Sequence, residues 1–300
     1  MRIGIVYPQT ELRGDPVAVR RIGRAVEDLG FDYLLAYDHV LGAVHADRTP
    51  PLTGPYTEDD PFHDPFVMFG YLAGITERIE FTTGILILPQ RQTALVARQA
   101  ADVDLLSGGR LRLGVGIGWN PVEYEALGQD FHTRGARQEE QIQLLRRLFT
   151  EPVVDFDGRF DRIGRAALVP KPTRSIPIWL GGYGEPAFDR AARLGDGFIF
   201  FGGGGVDRVL DSWTWLRGRL HDHGRSVEGF GAECVVRPRD GVGSLRAEVD
   251  SWRDAGGSHL SVVTMGLGLD SVDAHIDYIA SVATALGLSS PYGRLRDFRL

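Results

Sequence analysis

His39 ends an apolar run, "YLLAYDH" (33–39), directly behind Asp38. Imidazole titrates near neutral pH, so at such a place it can give or take a proton during a reaction. A histidine there can equally be a hydrogen-bonded cap of the strand, and position alone leaves both readings open. A second feature is Gly84 in "FTTGILILPQR" (81–91), a run that otherwise reads as a buried strand. A strand-interior glycine packs nothing and marks a bulge, a bend or a backbone that a ligand approaches closely. Two more runs end in glycine-rich stretches, "GIGWN" (116–120) and "GGYGE" (181–185). Glycines between a strand and a helix N-terminus leave free N–H groups where an anion such as phosphate is favoured. A tight turn wants the same residues. "GVGIG" (114–118) lacks the G-x-G-x-x-G spacing of a dinucleotide fingerprint. The glycines of "FGGGGVD" (201–207) suit either a second anion site or a flexible loop.

Other residues point to no chemistry. His221 and His223 lie two apart in a helical pattern and face different sides. His45, Asp47, Asp59, Asp60, His63 and Asp64 have irregular spacing that reads as a solvated loop, and no metal site is expected. No G-x-S-x-G elbow is present, so serine-hydrolase chemistry has no support. Cys234, the single cysteine, lies in an apolar run and reads as a packing residue.

The elements that would position these residues alternate regularly. Eight short apolar runs begin at residues 2, 33, 79, 111, 177, 198, 232 and 259, each followed by helical periodicity. That alternation means βα units around a parallel sheet. Eight of each fits a (β/α)8 TIM barrel as one domain over residues 1–300, with function gathered at the strand C-termini. An open doubly wound sheet is the structural rival. Two stretches interrupt the pattern. Residues 42–64 follow the second strand and would lie over the active face, where long loops act as lids. Residues 151–176 precede the fifth strand and have room for a small hairpin.

Composition narrows the function classes. The net charge is −7, so no basic face for nucleic acid is evident. No apolar run approaches the roughly 18 residues of a membrane span. The N-terminal run lacks the features of a signal peptide, and one cysteine permits no internal disulfide; a cytoplasmic setting is expected. Lys171 is the only lysine beside 32 arginines, a bias that GC-rich codon usage produces.

"TTGILILPQRQTALVARQAADVDLLSGGRLRLGVGIGWNPVEYEALG" followed by "IPIWLGGYGEPAFDRAARLGDGFI" resembles the bacterial luciferase-like superfamily, most closely its F420-dependent oxidoreductase branch. The motifs run in order from Arg2 to about Gly203, and the likeness is weak after Val206. The resemblance implies a (β/α)8 barrel with an insertion before the fifth strand and a pocket for FMN or the deazaflavin coenzyme F420. It implies a cis peptide at Gly84–Ile85, forming a bulge behind the cofactor ring. Asp38 and His39 match the family's catalytic second-strand pair, with His39 as the acid/base. The implied cofactor contacts are Thr83, Gly84, Ile85 and Ile87 in the third strand, Ile117, Gly118, Trp119 and Asn120 after the fourth, and Gly181, Gly182, Tyr183 and Gly184 after the fifth. Arg91, Arg98 and Arg165 are candidates to supply charge to the cofactor's tail. Trp119 stands where the family's sugar-phosphate dehydrogenases have a catalytic carboxylate, and Glu123 is the nearest substitute. Those enzymes also bind substrate phosphate with lysines, so a glucose-6-phosphate dehydrogenase is not expected.

The resulting expectation is an F420-dependent oxidoreductase that moves a hydride to or from a small organic substrate, in a chain whose relatives commonly form homodimers. Trp119, Tyr37 and Phe200–Phe201 suggest an apolar, aromatic lining. The rival chemistry is a two-component monooxygenase using reduced FMN and oxygen. A non-catalytic flavin-binding barrel is the third alternative, disfavoured because a mere binder needs no acid/base.

Overall fold

The computed structural model of the chain describes residues 1–238 and 241–292. The strands and helices alternate through β1 (Arg2–Val6), α1 (Pro16–Asp28), β2 (Tyr33–Ala36), α2 (Pro65–Ala73), β3 (Glu80–Thr83), β4 (Leu86–Ile87), α3 (Thr93–Leu106) and β5 (Leu111–Gly116). A short α4 (Pro121–Ala126) and a long α5 (Arg134–Thr150) lead to the hairpin β6 (Val154–Asp157) and β7 (Arg162–Ala166). The second half comprises β8 (Ile178–Gly181), α6 (Glu185–Leu194), β9 (Gly197–Gly203), α7 (Leu210–Asp222), β10 (Gly231–Val236), α8 (Leu245–Asp254), β11 (His259–Val263) and α9 (Val272–Leu286).

The parallel strands close on themselves. β1 pairs with both β2 and β11, β2 pairs with β3, β3 pairs with β5, and the order continues β5–β8–β9–β10–β11. This is the eight-stranded (β/α)8 barrel that the alternation predicts, and closure excludes the open sheet. The expected hairpin is present as the antiparallel β6–β7 pair. The third strand differs from the expectation. Read as one run over 79–88, it breaks at Gly84–Ile85, and the segment beyond the break, β4, pairs only with β5. The Gly84–Ile85 peptide is cis, as the resemblance implies.

Local sequence explains where the helices start. Asp15, Asp64 and Asn120 each stand before a proline and accept a bond from a backbone N–H two residues on, which caps α1, α2 and α4. Proline tolerates the first helical turn because its missing N–H would find no partner there. Side chains that alternate along the strands form two clusters. Outward residues such as Ile5, Phe81 and Val262 pack under the helices, while Val6, Tyr33, Leu35, Trp179, Ile199, Val235 and Val263 fill the interior. The lower barrel holds a buried ion network. Arg112 pairs with Glu80 at 2.8 Å and Glu233 at 2.6 Å, and its guanidinium lies between the rings of Tyr33 and Trp179.

Candidate active site

A cavity of about 560 Å³ opens at the C-terminal ends of the strands. Its walls come from the ends of β2, β4, β5, β8, β9 and β10 and from the loop after β2. That is where a barrel of this kind places its chemistry.

Gly84 answers to packing as well as to backbone. A Cβ there would stand 2.1 Å from Leu35 Cδ2, inside the filled barrel. The residue beyond the break, Ile85, lies over two more glycines: a Cβ at Gly116 would meet its Cδ1 at 1.6 Å, and one at Gly181 its Cγ2 at 2.7 Å. Three strand ends therefore carry no side chain, and one isoleucine covers the gap between them. Gly84, Ile85, Ile117, Gly118, Gly181 and Gly182 line the cavity. A planar, mostly apolar ring system fits such walls.

His39 is the titratable group at this wall whose ring is held from behind. Its Nδ1 lies 3.1 Å from Glu123 Oε2. The other oxygen, Oε1, accepts from Val40 N (2.7 Å) and Leu41 N (3.1 Å). Glu123 is buried in the first turn of α4. Burial alone would raise its carboxyl, but the bonds from His39 and the two amides outweigh it and hold the group below its usual range. An ionised carboxylate only accepts, so Nδ1 is the nitrogen that carries hydrogen. Nε2 has no hydrogen-bond partner among the described residues and is the atom able to exchange a proton. Tyr56, Phe62 and Trp119 pack around the imidazole with ring centroids 5.2, 4.8 and 5.7 Å away.

Asp38 sits beside His39 with its carboxylate turned elsewhere. It accepts from Ile87 N at 2.9 Å and from Arg91 Nη2 at 2.7 Å, fully buried. Burial pushes this carboxyl up, and Arg91 opposes the rise. Arg91 also pairs with Asp64 at 3.0 Å. One guanidinium thus joins the two ends of the 42–64 loop and fixes β4 through Asp38. It is therefore engaged internally rather than offered to a cofactor tail. Arg98 is likewise paired, with Asp102. The loop behaves as its position suggests: Thr53, Gly54, Pro55 and Tyr56 line the cavity, and a Cβ on Gly54 would strike the Trp119 ring at 2.2 Å.

Of the residues singled out from sequence, Asp38, His39, Gly84, Ile85, Ile87, Ile117, Gly118, Trp119, Gly181, Gly182 and Tyr183 all line this one cavity. Thr83, Asn120 and Gly184 do not. The Thr83 hydroxyl donates to Gly114 O at 2.6 Å, Asn120 caps α4, and Gly184 begins α6 at φ 77°. Phe201 lines the cavity, whereas Phe200 turns outward into the core under the helices, because neighbours on a strand face opposite sides. Two residues escaped the sequence reading. The aim of Glu123 was not visible, and Arg237 carried no motif. Asn120-Pro-x-Glu123 has the look of a capping box, in which the acidic side chain would turn back to its own helix; here it crosses to the segment just after β2.

A closed barrel with a carboxylate-held histidine beside a glycine-lined cavity at its C-terminal face fits a barrel enzyme. The chain belongs to the luciferase-like monooxygenase family, whose model matches residues 1–238, a longer stretch than the motifs alone cover. An uncharacterized protein of Mycobacterium tuberculosis is 33% identical over 231 residues, 73% of this chain and 80% of the relative. The FMNH2-dependent dimethylsulfone monooxygenase of Pseudomonas putida is 29% identical over 233 residues, 76% of this chain and 60% of that protein. An F420-dependent secondary alcohol dehydrogenase has the same fold, with a TM-score of 0.75 and 17% identity over 95% of this chain and 98% of its own. Among the described residues no helix is long and apolar enough to cross a membrane.

Proposed function

We propose that this chain is an oxidoreductase that moves a hydride between coenzyme F420 and a small organic substrate, with His39 exchanging the accompanying proton. The observation that carries the reading is the pair His39–Glu123 at the wall of a glycine-lined cavity. The deazaflavin, when bound, supplies a carbon centre that gives or takes hydride. Gly84–Ile85, Ile117–Gly118 and Gly181–Tyr183 would hold its ring system. The chain's own part is positional. Glu123 sets the tautomer and orientation of His39, so that Nε2 can hold or move one proton at the cavity wall. Tyr56, Trp119 and the 53–56 segment limit access of water from above. Asp38 acts through Arg91 and Ile87 to hold the strand break, which makes it a positioning residue rather than a proton donor. The run "TTGILILP" with "GVGIGWN" favours the deazaflavin.

A second reading, a monooxygenase using reduced FMN and oxygen, is favoured by the likeness to the dimethylsulfone enzyme. Both chemistries need the same acid/base. In His39→Ala, cofactor affinity stays within about tenfold while turnover of any accepted substrate falls by roughly 10²–10⁴. Unchanged turnover would make His39 a structural residue.

A further inference from the structure

Arg237 follows the last residue of β10 and is half-buried in the cavity wall. Its Nε is enclosed and makes no hydrogen bond. Among the described residues no carboxylate lies within ion-pair distance of its guanidinium. The acidic group of the wall, Asp38, is engaged by Arg91, and Glu123 behind the wall is engaged by His39 and two amides. The surroundings are aromatic, with Tyr37, Tyr56, Tyr183 and Phe201 in the same lining. The positive charge reaches the phenols: burial pushes Tyr56 up to about 12 and Tyr37 well up, and Arg237 opposes both shifts. Gln9 fixes the Tyr37 backbone, taking its N–H at 2.9 Å and donating to its carbonyl at 3.2 Å. A half-buried guanidinium with no counter-charge among the described residues is free to meet an anion in the cavity, and its planar fork matches a carboxylate with two parallel bonds.

We propose that Arg237 is the recognition residue for a substrate carrying a single carboxylate on a flat, apolar or aromatic body. The proposal rests on the cavity being the redox site described above. One unpartnered cation suits one negative charge; a dianionic phosphate ester would bring a second charge with nothing to meet it.

The test titrates the full chain by tryptophan fluorescence and calorimetry, as purified and again with FMN or F420 present. The probes are 3-phenylpropanoate, its neutral amide 3-phenylpropanamide, and phenyl phosphate. The expected result is a carboxylate at least about tenfold tighter than the amide, within the range of a charge-assisted bond. Arg237→Gln abolishes that preference, Arg237→Lys recovers part of it, and both leave the cofactor Kd within about threefold. Equal binding of carboxylate and amide, or binding of neither, overturns the proposal. So does a preference that survives in Arg237→Gln, or phenyl phosphate binding more tightly than the carboxylate. Loss of cofactor affinity in Arg237→Gln would assign the guanidinium to the cofactor's own anion instead. Failure of the redox reading shows separately, as no binding of either cofactor with the carboxylate preference intact.

Discussion

Replacing Glu123 by glutamine keeps the shape of the side chain and inverts half of its hydrogen bonding. The carboxylate accepts three bonds, from His39 Nδ1, Val40 N and Leu41 N. In Glu123→Gln the amide oxygen can keep the two backbone donors at 2.7 and 3.1 Å. The amide NH2 then faces Nδ1, and two donors cannot share that contact. The ring resolves the conflict by moving its hydrogen to Nε2, so that Nδ1 accepts. His39 thereby presents a donor to the cavity where it had presented an acceptor. One charge-assisted bond is lost from a buried site, for about 1.5–3 kcal/mol of stability. A neutral Nε2–H can no longer accept a proton, so turnover in the direction that needs His39 as a base falls by roughly 10²–10⁴. The assay needs no substrate. Nitrogen-15 spectra of histidine-labelled protein distinguish the two tautomers, and comparison with His39→Gln assigns the signal among eight histidines. The wild type shows hydrogen on Nδ1, and Glu123→Gln shows it on Nε2. A wild-type Nε2–H tautomer, or an unchanged spectrum in the variant, would refute the assigned role of Glu123.

Two further outcomes follow from buried charge. Arg112→Ala leaves Glu233 without its ion partner in the buried interior, while Glu80 keeps Arg2, and lowers stability by about 3–5 kcal/mol; in the double variant with Glu233→Leu, chemical denaturation shows a smaller loss than the two single changes summed. Glu27 is held below its ordinary value of 4.5, because the bonds from the amides of Glu77, Arg78 and Ile79 outweigh the burial that would raise it. Its folded value is depressed, so its contribution is complete above about pH 4.5 and disappears as the pH falls through the folded value. Denaturation midpoints measured from pH 6 to pH 3 should drop less steeply in Glu27→Gln than in the wild type; parallel slopes would remove Glu27 from the account.

The barrel was legible because each of its layers left a local trace. Eight apolar runs of strand length, each followed by helical periodicity, depend on neighbours in sequence. The strand-end positions of the site, His39, Gly84, Gly118 and Gly181, were legible for the same reason. What escaped depends on contacts between distant segments. His39 and Glu123 stand 84 positions apart, and nothing local says that the acidic group leaves its own helix for the segment after β2. Arg237 reads as one arginine among 32, and only the folded arrangement shows that its Nε is enclosed without a hydrogen bond among the described residues. Arg91 shows the converse: its charge was visible, but not the two carboxylates that engage it. Thr83 and Asn120 lay in the right motifs with their polar atoms committed to backbone.

The central claim is the cofactor, and fluorescence titration of the purified chain with F420 and with FMN tests it most directly. The account predicts saturable quenching by both, with F420 binding the more tightly. Tight FMN binding with no detectable binding of F420 would contradict it and move the chemistry to the oxygen-using monooxygenase.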